Sequence, residues 1–188
     1  MSHHPPLKEV EKTRPDFDSS TSFSFTKAPD PDWTRGQGTN HLDQGSSSKG
    51  HIEIDPYEEG RPARNNYTLL ISGIIPRPIG FISTLTKDGS LVNLAPFSFT
   101  QVVNVDPPIF VVGISGNQSP GKDTLRNILD TQECVINTVS EHFVEAANMS
   151  ALNCPPDVSE VDLSGLHMLP SSTVKAPRVK DLRDYALP

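Results

Sequence analysis

Three short groups of polar residues in this sequence have side chains and spacing suited to binding a ligand. They are Ser83 with Thr84, the segment from Asn93 to Ser98, and the segment from Lys122 to Thr124. The first two groups lie at the ends of predicted strands, and the third opens a predicted helix. A helix N-terminus presents unpaired backbone N–H groups to an anion, and Lys122 and Thr124 would add a charge and a hydroxyl there. The pattern indicates a site for a small phosphate-bearing molecule.

The same groups also have a purely structural interpretation. Asp123 and Thr124 are residue types that commonly cap a helix, so they need not mark an anion site. The hydroxyls of Ser83, Thr84 and Ser98 are equally typical of ordinary strand edges. The spacing of these residues leaves both interpretations open.

A β-hairpin is predicted to position the first two groups. Pro76 and Pro78 exclude a helix, so the strand Ile79–Thr86 begins just after them. Asp88-Gly89 supplies the positive φ angles of a tight turn, and Ser90–Leu94 returns antiparallel to the first strand. Ala95-Pro96 is then expected to end this second strand.

Further alternating and apolar segments predict the rest of a small β domain. Phe97–Val103 alternates as a half-buried extended segment does, and the apolar run Ile109–Ile114 predicts a core strand. A helix is predicted over Asp123–Asp130, with Leu125, Ile128 and Leu129 as its buried stripe. A strand over Cys134–Val139 and a helix over Glu141–Ala151 complete the set. We therefore expect a mainly β fold with short helices, without a doubly wound parallel sheet.

The N-terminal third has a different composition. Residues 1–64 contain few apolar residues and no helical or strand period, which predicts a disordered tail. Gly45–Gly50 is typical of a flexible linker. The aromatic residues Phe23, Phe25 and Trp33 are either a docking motif or sparse hydrophobic residues in that tail. The folded part is expected to begin near Tyr67.

The charge balance excludes several classes of partner. The 188 residues include 23 acidic and 16 basic side chains, a formal net charge of -7, and no basic block that would grip a nucleic acid. The apolar runs are far shorter than the roughly 20 residues of a membrane-spanning helix. The N-terminus also lacks the apolar core of a secretory signal. We expect no nucleic-acid partner, no membrane segment and a cytoplasmic location.

Metal and hydrolytic chemistry find little support. Cys134 and Cys154 are isolated from each other and from His142 and His167, so they predict free thiols and no zinc site. A triad of Ser98, His142 and an aspartate is disfavoured because no Gly-x-Ser-x-Gly elbow is present. The Gly-x-Gly-x-x-Gly fingerprint of dinucleotide folds is also absent.

Five segments of the sequence are most informative when they are taken together, in their order along the chain. They are Pro76 to Thr84, Asn93 to Ser98, Asp106 to Pro108, Lys122 to Thr124 with Asn127, and Cys134 to Asn137. In this order they resemble the flavin reductase-like, FMN-binding split-barrel family. The resemblance covers residues 67–180, and it is specific only as a set.

The resemblance implies a Greek-key split β-barrel that binds FMN, with a homodimer as the usual assembly and NADH or NADPH as the electron donor. It implies that Ser83, Thr84 and the Asn93–Ser98 segment contact the flavin ring and ribityl chain, and that Lys122–Thr124 contacts the phosphate. Phe97 and Phe99 would either stack near the flavin or lie in the core. No catalytic acid or base is required, because the flavin carries the redox chemistry. The full set of cofactor-binding residues is Ser83, Thr84, Asn93, Leu94, Ala95, Pro96, Phe97, Ser98, Lys122, Asp123 and Thr124.

The chain departs from the family at its C-terminal end. Relatives in the family continue with further barrel strands after the segment that matches Ala176–Val179, whereas residues 181–188 do not resemble such a strand. We therefore expect an incomplete barrel over residues 65–180, with an open edge beside Ile109–Ile114. Two functions stay open: a flavin reductase-like oxidoreductase, or a noncatalytic truncated protein that associates with another chain. An FMN-dependent oxidase of the pyridoxamine-phosphate type ranks last, because no arginine cluster for a substrate phosphate is visible.

Overall fold

The computed structural model describes residues 7–43, 45, 50, 52–115, 121–152, 154–155 and 157–181. The chain divides into two units, Met1–Glu58 and Glu59–Pro188. The first unit contains helix α1, Leu7–Glu11, and a 3-10 turn, His41–Asp43. None of its described residues is buried, and the Phe23 and Phe25 side chains are fully exposed. The disorder predicted for residues 1–64 stays a prediction, and most of the predicted Gly45–Gly50 linker lies outside the described residues.

Three strands of the second unit form an antiparallel sheet. Strand β1, Gly80–Leu85, lies in the middle, between β2, Val92–Phe97, and β5, Val135–Asn137. The β1–β2 hairpin confirms the prediction from Asp88-Gly89. The Asp88 carboxylate accepts hydrogen bonds from the Thr86 and Ser90 hydroxyls, and Gly89 takes a positive φ of 76°.

The prediction that Ala95-Pro96 ends the second strand was wrong. Strand β2 continues to Phe97, and Pro96 lies opposite Phe81 in the register. Among the described strands β2 forms the edge of its sheet, so the missing N–H of Pro96 removes no ladder hydrogen bond. The proline is tolerated because of its place in the sheet, which the local sequence does not reveal.

One face of this sheet carries the apolar core. Phe81 and Leu94 pack with a cluster from the C-terminal half: Phe143, Ala147, Leu166 and Val179. The helix predicted over Glu141–Ala151 is present as a 3-10 turn, Glu141–Phe143, followed by α4, Val144–Met149. Helix α5, Glu160–Ser164, and the short pair β6, Met168–Leu169, and β7, Arg178–Val179, complete this layer.

The other face is covered by α3, Asp123–Thr131, through a polar contact. The helix is present as predicted, but its buried stripe is not. Thr124 and Asn127 are the buried residues, whereas the Leu129 side chain is 64% exposed. The physical reason is that this part of the sheet presents Thr84 and Asn93, which bind the helix by hydrogen bonds in place of apolar packing.

The hairpin of β3, Thr100–Val105, and β4, Pro108–Val112, is exposed along most of both strands. The prediction of a core strand over Ile109–Ile114 was wrong on burial: β4 forms, but Val111 is 54% exposed. The predicted half-buried segment Phe97–Val103 is also divided, with Phe97 in β2 and an exposed β3. Among the described residues, no helix or strand packs on either face of this hairpin closely enough to bury β4.

Helix α2, Ala63–Gly73, was missed by the sequence interpretation, which expected the folded part to begin near Tyr67 and predicted no helix there. The helix ends before Pro76, as the proline rule requires. None of its residues is buried. The Arg77 guanidinium donates to the carbonyls of Ile71 (2.6 Å) and Ile74 (2.7 Å) and so satisfies the end of the helix.

The sheets agree with a mainly β architecture with short helices. Within the described ranges they are three separate antiparallel sheets that do not close into one barrel. The predicted incompleteness of the barrel stays a prediction, because residues 182–188 lie outside the description. No helix among the described residues has the length and hydropathy needed to cross a bilayer.

Candidate functional site

The register of the hairpin sorts the predicted site residues onto two faces. Residues directly opposite each other share a face, and residues alternate between faces along a strand. Thr84 therefore shares a face with Asn93, Ala95 and Phe97, which are the residues toward α3. Ser83, Leu94 and Pro96 lie on the opposite face, toward the apolar core.

Two hydrogen bonds join α3 to the sheet. Asn93 Nδ2 donates to Thr124 Oγ1 over 2.8 Å, and Asn127 Nδ2 donates to Thr84 Oγ1 over 3.1 Å. All four side chains are buried. In both pairs the hydroxyl oxygen accepts, so the hydroxyl hydrogen of each threonine is not used within the pair. The first pair fixes the first turn of α3 against β2, and the second fixes the next turn against β1.

The first turn of α3 lacks the side-chain cap that the structural interpretation required. Lys122 is the N-cap residue and makes no side-chain cap hydrogen bond. Thr124 is engaged by Asn93, and the Asp123 carboxylate pairs with Arg126 of the same helix. Helix capping is thus not what Asp123 or Thr124 does. The Lys122 side chain is exposed beside this turn.

The core-facing members of the predicted site hold the C-terminal segment. The Ser83 hydroxyl donates to the Pro177 carbonyl, and Asn137 Nδ2 donates to Ser83 Oγ at 3.2 Å and to Phe81 O at 2.9 Å. The Val179 N–H donates to Asn137 Oδ1 at 2.9 Å. Ser83 and Leu94 are fully buried, so neither reaches the surface in this arrangement. Their assignment as cofactor contacts stays a prediction.

The far end of β2 is half-buried and more open. Ala95, Phe97 and Ser98 are all partly exposed there. Arg77 Nε lies 3.4 Å from Ser98 Oγ, which ties the end of α2 to the turn that follows β2. At Gly80, opposite Phe97, an added Cβ would lie 2.7 Å from Thr100 Oγ1, so only glycine fits at this point.

Sequence reasoning missed Ser159 and Glu160, which close the outer edge of β2. Ser159 Oγ donates to the Val92 carbonyl over 2.6 Å, and the Leu94 N–H donates to Glu160 Oε2 over 3.3 Å. Burial raises the pKa of the Glu160 carboxyl, and the nearby Asp123 charge adds to this effect. A serine before an acidic residue is a helix-start signal that marks α5, but its pairing with β2 is a tertiary contact.

This arrangement leaves the end of β2 near Phe97 partly accessible on the α3 side, while α3 covers Asn93 at the other end. From Asn93 to Phe97 the strand spans about 14 Å at its usual rise. Amides and Lys122 lie at one end and the Phe97 ring lies at the other. Among the described residues, no group of three or more His, Cys, Asp or Glu side chains is arranged to hold a metal ion.

Comparison with known proteins gives this site a context. The family model described as the flavin reductase like domain matches residues 72–185. An uncharacterised protein of Aquifex aeolicus is 43% identical over 118 residues, which are 62% of this chain and 60% of that protein. This chain spans about three fifths of the length of the curated relatives it matches.

Solved structures agree with the family match. Component B of nitrilotriacetate monooxygenase from Bacillus cereus is similar to this chain, with 36% identity and a TM-score of 0.66 over 70% of this chain and 64% of that one. A Shewanella frigidimarina protein with a split barrel domain has 24% identity and a TM-score of 0.57, over 71% of this chain and 65% of that one. The second likeness concerns the fold.

Proposed function

Because this chain belongs to the flavin reductase like domain family, we propose that it binds FMN and serves a flavin-dependent oxidoreductase. The observation that supports this most directly is that the half-buried end of β2 at Ala95 and Phe97 lies on the same side of the sheet as the first turn of α3. Ala95 and Phe97 belong to the set of residues assigned on motifs alone, and the buried Thr84 and Asn93 of that set fix α3 on this side. A cofactor that contacts both places would require this alignment.

The donor groups fit a phosphorylated flavin. The first turn of α3 offers backbone N–H groups, the Lys122 ammonium offers a positive charge, and Thr124 retains a hydroxyl hydrogen. The Asp123 carboxylate, which would repel a phosphate, is paired with Arg126. The half-buried Phe97 ring offers an apolar surface for the flavin ring at the other end.

When bound, FMN would carry out hydride and electron transfer, and the protein would hold it in position. In this proposal the Asn93–Thr124 hydrogen bond holds β2 against α3 at the end of the site where the phosphate would bind. Gly80 and Thr100 set the spacing at the ring end, since no larger residue fits at Gly80. NADH or NADPH is the proposed electron donor. No residue named for the flavin site distinguishes the two nucleotides.

We further propose that two copies of the chain associate through the exposed β3–β4 hairpin. The exposed apolar side chains there are Val102, Val103, Val105, Ile109, Phe110 and Val111. Exposed apolar side chains that lie together mark association surfaces, and Val102 lies directly opposite Phe110 on one face of the hairpin. The same observation favours the second candidate function, a noncatalytic protein that acts by pairing this hairpin with another chain.

The test is the visible absorption spectrum of the full chain after incubation with FMN and desalting, recorded with gel filtration. We expect retained flavin bands on a species of twice the chain mass, followed by oxidation of NADH or NADPH. A colourless protein that elutes with a partner chain would support the noncatalytic alternative. A colourless monomer would contradict both.

The phosphate end is tested by Lys122→Ala with Thr124→Ala. We expect FMN affinity to fall by about 1 to 3 kcal/mol, the usual scale for losing charge-assisted hydrogen bonds. Riboflavin, which lacks the phosphate, should bind with unchanged affinity. The matched control is Lys87→Ala with Thr131→Ala, a lysine at the hairpin tip and a threonine at the other end of α3. An unchanged FMN affinity in the first double variant would refute the phosphate assignment.

A further inference from the structure

The outer edge of β2 is closed by side chains, without a neighbouring strand. Ser159 Oγ donates to the Val92 carbonyl at 2.6 Å, and Glu160 Oε2 accepts from the Leu94 N–H at 3.3 Å. Both side chains are buried, with 6% of each residue exposed. Pro96, the next residue that faces this edge, has no N–H to satisfy. Together, α5 and the proline satisfy or remove the polar groups that an edge strand would otherwise expose.

Asn93 lies between the two bonds. The peptide units on both sides of it are therefore fixed by α5, while its own side chain points to the opposite layer and donates to Thr124 in the first turn of α3. Ser159 also accepts the Val161 N–H at 3.3 Å, so its hydroxyl caps α5 and holds β2 at once. A continuous set of contacts thus runs from α5 through β2 to the start of α3.

We propose that Ser159 and Glu160 are positioning residues for the phosphate end of the flavin site. Their hydrogen bonds hold the β2 backbone at Val92 and Leu94 and so fix the position of Asn93. Asn93 in turn fixes the position of the first turn of α3. The inference rests on the proposed function, since it concerns the same site. It assigns a role to a segment 37 residues beyond Lys122 in the sequence, to which no motif drew attention. A small shift of Asn93 would misplace the amides of α3 without disturbing the Phe97 end.

Ser159→Ala removes the bond to Val92 without changing any charge. We expect FMN affinity to fall about threefold to tenfold, the range for one hydrogen bond, with riboflavin affinity changed less than about twofold. Ser159→Thr keeps the hydroxyl and should restore most of the FMN affinity. Ser164→Ala is the matched control, because Ser164 lies in the same helix and its hydrogen bonds are local: it donates to the Val161 carbonyl and accepts the Leu166 N–H, and neither bond involves β2. Flavin fluorescence titrations of the full chain measure both affinities, and far-UV circular dichroism checks folding.

A second pair covers the case in which Ser159→Ala does not fold. Glu160→Gln and Glu160→Met both remove the charge, but only glutamine retains an acceptor for the Leu94 N–H. Any difference between them therefore reports the hydrogen bond and not the charge. We expect the methionine variant to bind FMN more weakly than the glutamine variant, and both to bind riboflavin alike.

Each outcome decides the inference. Equal losses of both flavins in Ser159→Ala, or equal FMN affinities in the two Glu160 variants, would overturn it while the proposed function stands. Equal binding of FMN and riboflavin by the unsubstituted chain would also overturn it, because the phosphate would then not be recognised. If the unsubstituted chain binds neither flavin, the inference fails together with the proposed function.

Discussion

Two antiparallel regions of this chain both contain β-branched and aromatic residues, yet they have opposite surroundings. The sheet of β2, β1 and β5 is covered on one face by an apolar cluster and on the other by α3, and its outer edge is closed by Ser159 and Glu160. The β3–β4 hairpin is richer in valine and isoleucine, yet it is exposed along most of both strands. The comparison teaches that apolar content does not decide burial. What decides it is whether other elements have surfaces that match.

The covered sheet owes much of its definition to polar contacts. Asn93, Asn127 and Asn137 each join the sheet to a neighbouring element through a buried amide. Every buried side-chain nitrogen or oxygen among the described residues has a hydrogen-bond partner. Buried amides tolerate few alternative geometries, because an unsatisfied group is costly. Such contacts fix the register and position of layers more strictly than apolar packing does.

The largest effect should separate Phe81 from Phe110. Phe81 is fully buried and contacts the Phe143 ring at a centroid distance of 6.3 Å, whereas Phe110 is 44% exposed. We expect Phe81→Ala to lower the free energy of unfolding by about 3 to 5 kcal/mol, and Phe110→Ala by less than about 1 kcal/mol in protein dilute enough to be monomeric. Urea unfolding followed by circular dichroism measures both, with Phe81→Leu as a milder variant.

Equal costs at Phe81 and Phe110 would break the comparison. That result would mean that the hairpin is covered in solution, and the cost at Phe110 should then depend on protein concentration. Gel filtration of Phe110→Ala over a range of concentrations distinguishes a lost association surface from a lost core contact.

A smaller difference is expected between Asn137 and Asn104. Asn137 bonds to Phe81 O, Ser83 Oγ and the Val179 N–H, all in buried surroundings, while Asn104 makes one exposed bond to Asp106 O. Asn137→Ala should cost about 2 to 3 kcal/mol because it leaves buried groups unpaired. Asn104→Ala should cost no more than about 0.5 kcal/mol. A similar cost for the two, read from urea midpoints, would show that the buried amide network does not fix the covered sheet.

The smallest effect concerns the pH dependence of the closed edge. Burial raises the pKa of the Glu160 carboxyl, so the folded chain holds that proton more tightly than the unfolded chain. The contribution of this carboxyl to the free energy of unfolding is most favourable below the ordinary glutamate pKa of about 4.3. It is lost as the pH rises through the raised pKa of the folded chain. Glu160→Gln keeps an acceptor for Leu94 and should therefore gain stability relative to the unsubstituted chain as the pH rises above the ordinary glutamate pKa of about 4.3.

The control for this measurement is Glu145→Gln, which removes one charge from an exposed position on α4. The pH dependence of its stability, relative to the unsubstituted chain, should differ from that of Glu160→Gln. Parallel curves for the two variants would mean that net charge, and not the buried carboxyl, sets the slope.

Local sequence signals predicted the parts of the fold that depend on near neighbours. The Asp88-Gly89 turn, the antiparallel pairing around it and the helix that starts at Asp123 needed only residues a few positions apart. Errors occurred where a distant contact mattered. Pro96 was interpreted as a strand end because the place of β2 at the edge of its sheet could not be seen, and Leu129 was placed in the core because its spacing from Leu125 and Ile128 is typical of a buried stripe.

The candidate site shows the same limit. Motifs brought Ser83 and Thr84 together as equal candidates, but one side chain faces the core and the other faces α3. Alternation along a strand predicts that adjacent residues differ in this way, yet it does not say which face meets the helix. Ser159 and Glu160 were invisible as partners of β2, because their contact spans more than 60 residues of chain.

The sequence by itself determined the family, the mainly β character and the residues proposed for a flavin site, since these follow from residue types, order and short-range turn chemistry. Only the tertiary structure decided which face of the sheet each candidate occupies, that α3 docks through threonine and asparagine, and that β3–β4 stays exposed. The physical reason is that burial and hydrogen-bond partnership depend on surfaces contributed from elsewhere in the chain. A local pattern states what a segment is able to bury, and the complementary surface determines whether it is buried.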